Sequence, residues 1–334
     1  MRQFWMSLIL ALLVLAGLWA LLNRKEINNI SDAVDLARKH VTDFSSQSPF
    51  LSASSEKTLT GSGTIRVATF NIHRLGREKF ENRRTAELLA RTFREFDVIA
   101  LQGLETGDEL QLRRLIDLVN SEGGHYDFVV SPISPGDRLS IYAFVMNLET
   151  VQLDGGHRYM MQDPDNLLTH PPFIGWFRTV TSNPVNSFTF NLVNVCFDEK
   201  KTGELERIQD IFRAVRNDGR GEDDIIVAGD FHTSHKGLDA LRQEIGLLPA
   251  IQGQTTAIRA NTERDNILID MRATTEFSGR SGVFDFMNVF NLKTRDAVAI
   301  SEQMPCWAEF SRVEGTAGYP MKSARTPQVS ENIK

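Results

Sequence analysis

The stretch Ile226–His232, with the sequence IVAGDFH, decides the fold that we expect of this chain. Its first residues are apolar and largely β-branched, as in a strand that is buried on both faces of a sheet. The strand then ends in a Gly-Asp pair, so Asp230 presents one carboxylate at a sheet edge, where phosphates and metal ions bind. The stretch therefore predicts a buried strand that leads into a functional site.

Helical periodicity precedes two of the predicted strands. Apolar residues recur at i, i+3, i+7 and i+10 in two segments. They are Ala86, Leu89, Phe93 and Phe96 before the strand Asp97–Leu101, and Leu205, Ile208, Phe212 and Val215 before the strand Ile225–Ala228. Further strands are predicted at Phe128–Val130, Tyr142–Met146, Phe188–Val195 and Trp307–Phe310. Because strands outnumber helices, we expect two packed mixed sheets with helices outside.

Four more segments occur in an order that is typical of one family. They are VATFNI at 67–72, DVIALQG at 97–103, DNIL at 265–268 and SEQMP at 301–305. Together with Ile226–His232, they resemble the endonuclease/exonuclease/phosphatase superfamily, which shares the fold of DNase I. The resemblance covers residues 64–312. It implies an α+β fold, a four-layer α/β/β/α sandwich of two mixed sheets flanked by helices.

The resemblance also implies a chemistry. In the family, a divalent metal is held by carboxylate and amide oxygens, water is activated beside an Asp, and two His side chains stabilise the phosphoryl oxygens. Hard oxygen ligands suit Mg²⁺ or Mn²⁺, so we expect one of these ions if the domain is active, and otherwise no cofactor. The residues that match family positions are the catalytic candidates Asn71, Tyr142, Asp230 and Asp265, and the substrate-binding candidate Arg178.

Other catalytic positions depart from the family pattern. Gly103 stands in place of the metal-binding Glu. Ser140 replaces the Glu that orients one catalytic His, and Cys196 replaces that His. His232 replaces an Asn, and Glu302 and Gln303 replace an Asp-His pair. Gln cannot accept a proton at neutral pH, and an unactivated thiol has a pKa near ~8.5. We therefore expect a catalytically impaired domain that acts as a binding or scaffold module, and leave open whether it is an enzyme.

Two enzymatic alternatives remain. Asn71 and His73 share a face of their strand, as do Asp230 and His232, so a rearranged site could bind a transition metal such as Zn²⁺ or Fe²⁺ through imidazole. Alternatively, the domain is a metal-dependent phosphodiesterase or nuclease that tolerates the substitutions. In that case Glu105, two residues farther along, is a candidate replacement for the missing Glu.

The N-terminal segment is strongly apolar. Phe4–Leu22 is about the length that a helix needs to cross a bilayer, which predicts a transmembrane anchor over residues 1–25 and a single-pass membrane protein with an extracytoplasmic domain. A cleaved signal peptide is the competing interpretation. A short helix and a Ser/Thr/Gly-rich linker are predicted over residues 26–63, and a disordered tail over residues 313–334.

The net charge and the number of cysteines limit which binding partners and which covalent links we expect. A formal net charge of −6 over 334 residues supplies no overall attraction for nucleic acid, so strong binding to it is not expected. The remaining partners are the membrane and an unidentified phosphorylated ligand or protein. The two cysteines are too few for a disulfide framework and are expected to be buried thiols.

Overall fold

The computed structural model describes residues 63–105, 107–132, 141–201 and 203–315. Within these residues the strands are β1 (Thr64–Asn71), β2 (Val98–Leu104), β3 (Tyr126–Val130), β4 (Ile141–Asn147), β5 (Val151–Met160), β6 (Phe173–Thr179), β7 (Thr189–Cys196), β8 (Ile225–Asp230), β9 (Leu247–Pro249), β10 (Asp265–Asp270), β11 (Phe277–Val283) and β12 (Cys306–Ser311). They form two six-stranded mixed sheets, with the orders β11-β12-β1-β2-β4-β3 and β5-β6-β7-β8-β10-β9.

Helices connect many of these strands. The α-helices of the described residues are α1 (Glu78–Glu81), α2 (Arg83–Phe93), α3 (Glu109–Asn120), α4 (Ile208–Arg216), α5 (His235–Glu244), α6 (Phe286–Val289) and α7 (Thr294–Ile300), and short 3₁₀ turns lie at Pro184–Asn186 and Leu205–Arg207. The predicted strands and both predicted helices are present. Phe96 lies beyond the end of α2, but its side chain is buried against the same core.

Three apolar layers hold the sandwich together. The middle layer, between the sheets, is rich in aromatic rings, and the Phe144 ring stacks on Phe173 with centroids 4.8 Å apart. The two outer layers pack each sheet against its own helices. In β8, Ile226 and Ala228 face the middle layer, and Ile225 and Val227 face the outer layer. Both faces of the strand are therefore buried, which explains why it is apolar throughout. The predicted four-layer α/β/β/α fold is confirmed.

A buried polar network joins the two sheets beneath the strand ends. Asn194 on β7 donates hydrogen bonds from Nδ2 to the carbonyl oxygens of Leu101 (3.1 Å) and Ala143 (3.2 Å) in the other sheet. Its Oδ1 accepts a hydrogen bond of 2.7 Å from Gln102 Nε2. Because buried polar groups are costly unless they are paired, this network fixes the alignment of the strand ends that carry the candidate site.

The predicted membrane localisation is corrected. Over residues 63–105, 107–132, 141–201 and 203–315, no helix has the length and apolarity to cross a bilayer. The 12-residue helix α3, for example, would span only about 18 Å of a hydrocarbon core of about 30 Å. The segment that carried the prediction, residues 1–25, lies outside the described residues, as do the predicted linker up to residue 62 and the tail from residue 316.

Candidate functional site

The candidate site lies where strand ends of both sheets meet. In the second sheet, Asp265 at the start of β10 pairs with Asp230 at the end of β8, and Cys196 at the end of β7 pairs with Asp230 from the other side. From the first sheet, Asn71 at the end of β1 donates a hydrogen bond of 3.1 Å from Nδ2 to Asp230 Oδ2. The structure thus brings these four residues, named from the sequence, into one cleft.

Gly229 allows this close approach. A Cβ atom at this position would lie 1.9 Å from the carbonyl oxygen of Val195 on the neighbouring strand. Only glycine therefore lets β8 pair with β7 right up to Asp230.

Asp230 is fully buried and is surrounded by hydrogen-bond donors. Its Oδ2 accepts from Asn71 Nδ2 and from Gln303 Nε2 at 2.7 Å, and its Oδ1 accepts from the backbone N–H of His232 at 3.1 Å. Burial alone would raise the pKa of Asp230, but the hydrogen bond and charge of His232, the Gln303 amide and the Arg264 guanidinium outweigh it and lower the pKa. Asp230 is therefore an ionised carboxylate at neutral pH.

Asp265 is the opposite case. Its side chain is 1% exposed, and in the described part of the chain neither carboxylate oxygen has a hydrogen bond of normal geometry, although the Thr256 hydroxyl lies close to it. Burial, and then the charge of Asp230, raise the pKa of Asp265 well above its usual range. In the family this residue orients a His, but here Gln303 occupies that position and turns its amide to Asp230 instead. Burial and the neighbouring charge of Asp230 therefore favour the protonated form of Asp265.

Gly103 has a conformation that excludes a side chain. Its φ is +74°, in the left-handed region, and the pairing of β2 with β4 shifts register between Leu101 and Leu104. A Cβ atom at Gly103 would lie 2.4 Å from Asn71 Oδ1 and 2.9 Å from the backbone nitrogen of His73. The Asn71 oxygen in turn accepts a hydrogen bond of 3.0 Å from that nitrogen. The space where the family's Glu would begin is filled by β1 and the turn that follows it.

The two cysteines are free thiols, Cys196 partly buried and Cys306 buried. Burial, together with the neighbouring carboxyl groups of Asp230 and Asp265, raises the pKa of both thiols well above the usual value. The thiolate is the reactive form of cysteine. Neither residue can therefore replace an imidazole as a base or serve as an activated nucleophile.

His232 and Arg264 lie at the mouth of the cleft. The His232 side chain is 19% exposed and places Nε2 3.3 Å from Asp230 Oδ2. The Arg264 guanidinium contacts the His232 ring, is 26% exposed, and places Nε 3.9 Å from Asp230 Oδ1. This geometry suits an imidazole that donates to Asp230 and accepts from Arg264. At the mouth, the imidazole of His232 and the guanidinium of Arg264 therefore lie beside the buried carboxylate of Asp230.

Three other residues named from the sequence are Tyr142, Arg178 and Ser140. Tyr142 is buried and donates from its hydroxyl to the His170 carbonyl at 3.3 Å. Arg178 pairs with Thr189 at the start of β7, roughly 23 Å from the Cys196 end, so the structure does not bring it to the cleft. Ser140 lies outside the described residues.

Two acidic side chains point to other partners. Glu302 pairs with Arg259 at 3.4 Å, and Glu105 pairs with Arg74 at 2.8 Å. His73 is exposed, and in the part of the chain described here no contact joins its imidazole to Asn71, Asp230 or His232. The four candidate ligands of a rearranged metal site therefore do not all converge.

Residues that sequence reasoning did not single out complete the site. Ser301 donates from its hydroxyl to the Asn71 carbonyl at 2.9 Å and accepts from the Gln303 backbone N–H at 3.1 Å, which holds Gln303 over Asp230. The buried ammonium of Lys79 donates to the carbonyls of Ile72 (2.6 Å) and Ile300 (2.7 Å). Arg264, directly before the Asp-Asn motif, was visible in the sequence as a basic residue at a strand entry, whereas Lys79 carried no such signal.

The divalent ion that the family implies does not fit these residues. The ligand expected at Gly103 is absent, and its space is occupied. The Asp230 oxygens face N–H donors from Asn71, Gln303 and His232, and the Asn71 oxygen faces a further N–H. A cation needs lone pairs directed towards it, whereas these are already directed at protein donors.

Comparisons with known proteins agree with the fold. No protein-family model matches the chain. It is similar to deoxyribonuclease-1-like 1 of Sus scrofa, with 28% identity over 267 residues that cover 75% of this chain and 82% of that protein. Deoxyribonuclease-1 of Bos taurus is 22% identical over 262 residues, which cover 72% of this chain and 90% of that protein.

Solved structures give the same result at lower identity. An endonuclease/exonuclease/phosphatase from Bacteroides vulgatus matches with a TM-score of 0.54 at 15% identity, covering 75% of this chain and 99% of that one. A mannosyl-6-phosphatase from Bacteroides thetaiotaomicron matches with a TM-score of 0.50 at 13% identity, covering 73% of this chain and 98% of that one. With its four-layer sandwich, the chain has the DNase I-like fold of these endonuclease/exonuclease/phosphatase structures, and its sequence is similar to deoxyribonucleases.

Proposed function

We propose that this domain is a catalytically impaired member of its superfamily that binds an anionic, phosphate-containing ligand in the cleft without cleaving it. The observation that carries the proposal is the hydrogen bonding of Asp230, which accepts from Asn71 and Gln303 at Oδ2 and from His232 at Oδ1. A carboxylate held in this way stabilises the strand ends. It is not free to bind a metal ion or to activate water.

The proton-transfer groups support the same proposal. Gln303 cannot accept a proton, burial and the charge of Asp230 raise the pKa of Asp265 and so disfavour its ionised form, and the raised pKa of Cys196 keeps it a thiol. A general acid–base group contributes about 10²–10⁴ in rate, and a transition-state electrostatic contact contributes a similar factor. Loss of these groups together removes most of the acceleration that the family's chemistry requires.

The mouth of the cleft supports ligand binding. The guanidinium of Arg264 and the imidazole of His232 are both partly exposed, and guanidinium is the group that best matches the oxygens of a phosphate. The neighbouring Glu199, 73% exposed, lies 3.9 Å from Arg264 and is free to move aside. These groups favour a small phosphate ester over a long nucleic acid, because the net charge of −6 opposes a polyanion.

A second function is an active, divergent phosphodiesterase or nuclease. It is favoured by the similarity to deoxyribonucleases and by the convergence of Asn71, Asp230 and His232 at one point. For this function, a metal ion would have to displace at least one amide donor from Asp230. Only the second function predicts a metal-dependent reaction that is lost when Asp230 is replaced.

The test is hydrolysis of plasmid DNA and of bis(p-nitrophenyl) phosphate by the full chain with Mg²⁺, Mn²⁺, Zn²⁺ or Ca²⁺. We expect the wild-type protein and Asp230→Ala to give the same background rate with every ion, because the wild type already lacks the metal ligand and both imidazoles. Turnover on the order of 1 per second that disappears in Asp230→Ala would establish the second function instead.

A further inference from the structure

A second polar cluster lies at the end of the sandwich opposite the cleft. Asp224 directly precedes β8, so it is six residues, or roughly 20 Å, from Asp230. Glu276 directly precedes β11, and Glu314 follows β12. One carboxylate oxygen from each of these three residues lies within 4.8 Å of the other two. We call Asp224, Glu276 and Glu314 the distal triad.

Each member of the distal triad is fixed by the backbone. The carbonyl of Asp224 accepts from the backbone N–H of Asn191 at 2.8 Å. Glu276 Oε1 accepts from the N–H of Gly315 at 2.6 Å, and Glu314 Oε2 accepts from the N–H of Thr189 at 3.1 Å. Three separate chain segments thus hold three carboxylates in place, although like charges repel at this distance.

Oxygen atoms of the cluster are left without partners. Among the described residues, Asp224 Oδ1 and Glu276 Oε2 are buried and have no hydrogen-bond partner. Thr274 is 1% exposed, and its hydroxyl lies beside the Asp224 carboxylate, although not at normal hydrogen-bond geometry. Buried carboxylate oxygens without a partner are uncommon in folded proteins, and a bound cation would satisfy them.

The distal triad lies among other carboxylates. The charged groups that act on Asp224 are Glu276, Glu222 and Glu314, all carboxylates. Burial and these neighbours raise the pKa of Asp224 to about 8. In the described part of the chain, no ion pair involves any triad member.

We propose that the distal triad, with the Thr274 hydroxyl, is a structural calcium site. The donors are all hard oxygens, which Ca²⁺ prefers over nitrogen and sulfur. One oxygen from each triad member lies within 4.8 Å of the other two, close enough for a single ion to contact all three at the Ca²⁺–oxygen distance of about 2.4 Å. Ca²⁺ also tolerates irregular sets of ligands, whereas Mg²⁺ requires shorter bonds in strict octahedral geometry. The ion would join β8, β11 and the segment after β12 at one end of the sandwich.

The test is calorimetric titration of chelator-treated full chain with CaCl₂, together with thermal unfolding. We expect one Ca²⁺ per chain and a rise in Tm of about 5 °C or more at saturation. Asp224→Asn and Glu276→Gln should abolish binding, and Glu314→Gln, an exposed position where the fold is not at risk, should weaken it at least fivefold. Asp239→Asn, which replaces an exposed acid on α5, should bind as the wild type does.

Two results would overturn the calcium site. One is the absence of binding to the wild type at Ca²⁺ on the order of 1 mM, the weak end of protein calcium sites, which would mean that the acids share protons instead. The other is binding that survives in Asp224→Asn and Glu314→Gln, which would place the ion elsewhere.

Discussion

Gly103→Ala is expected to lower the free energy of unfolding by about 3 kcal/mol or more. A left-handed backbone costs a non-glycine residue about 1–2 kcal/mol, and forcing a side chain into filled space costs about 1–3 kcal/mol more. Both costs apply at Gly103, because its φ is +74° and its Cβ would lie 2.4 Å from Asn71 Oδ1. Urea unfolding followed by circular dichroism measures the loss.

Gly221 offers a matched control, since its φ is +77° and nothing lies within 4 Å of a Cβ placed there. Gly221→Ala should therefore show the backbone cost alone, about 1 kcal/mol. Gly103→Glu should be at least as unstable as Gly103→Ala and should not gain hydrolytic activity, although it restores the residue type of the family. Equal losses in Gly103→Ala and Gly221→Ala would mean that the space beside Asn71 is open.

Asp265→Asn is expected to stabilise the protein at pH 8 by roughly 1–3 kcal/mol, because a raised native pKa costs about 1.4 kcal/mol of stability per pKa unit once the unfolded chain is ionised. Because burial and Asp230 raise the pKa of Asp265 in the native state, the folded protein binds more protons than the unfolded chain above about pH 4. The contribution of Asp265 is therefore fully present below the unfolded pKa and is lost as the pH rises through the folded pKa. Asn cannot ionise and avoids this loss.

Urea unfolding of both proteins at pH 5 and pH 8 measures how the stability difference between Asp265→Asn and the wild type changes with pH. The advantage of Asp265→Asn over the wild type should be larger at pH 8 than at pH 5, whereas the exposed control Asp239→Asn should differ little from the wild type at both values. A variant less stable than the wild type at pH 8 would contradict the account, because it would mean that ionised Asp265 is bound by a partner in the folded protein.

The sequence alone predicted the layers and the strands but not the state of the cleft. The strand at 225–230 is apolar on both faces because it lies between two cores, and that pattern is local. The sequence also showed that Gly103 stands where the family has its metal-binding Glu. What the sequence did not reveal is that the left-handed turn there lets Asn71 and His73 fill the vacated space, because this depends on contact between different strands.

Other parts of the site depend on tertiary contacts in the same way. The direction of the Gln303 amide is set by Ser301 and Asp230, which no spacing rule predicts. Arg178 matches a family segment in sequence, yet strand register places it at the far end of β6. The distal triad comes from three distant segments, each with an ordinary acidic residue, and only the fold brings them together.

The central claim is that protein N–H groups, rather than a metal ion, satisfy Asp230. Diffraction from crystals of the protein grown with Mn²⁺, measured at the manganese absorption edge, tests it most directly. We expect no anomalous peak within bonding distance of the Asp230 oxygens, and we expect the amides of Asn71 and Gln303 still to donate to them. A manganese ion bonded to Asp230, at about 2.0–2.6 Å and with either amide turned away, would contradict it.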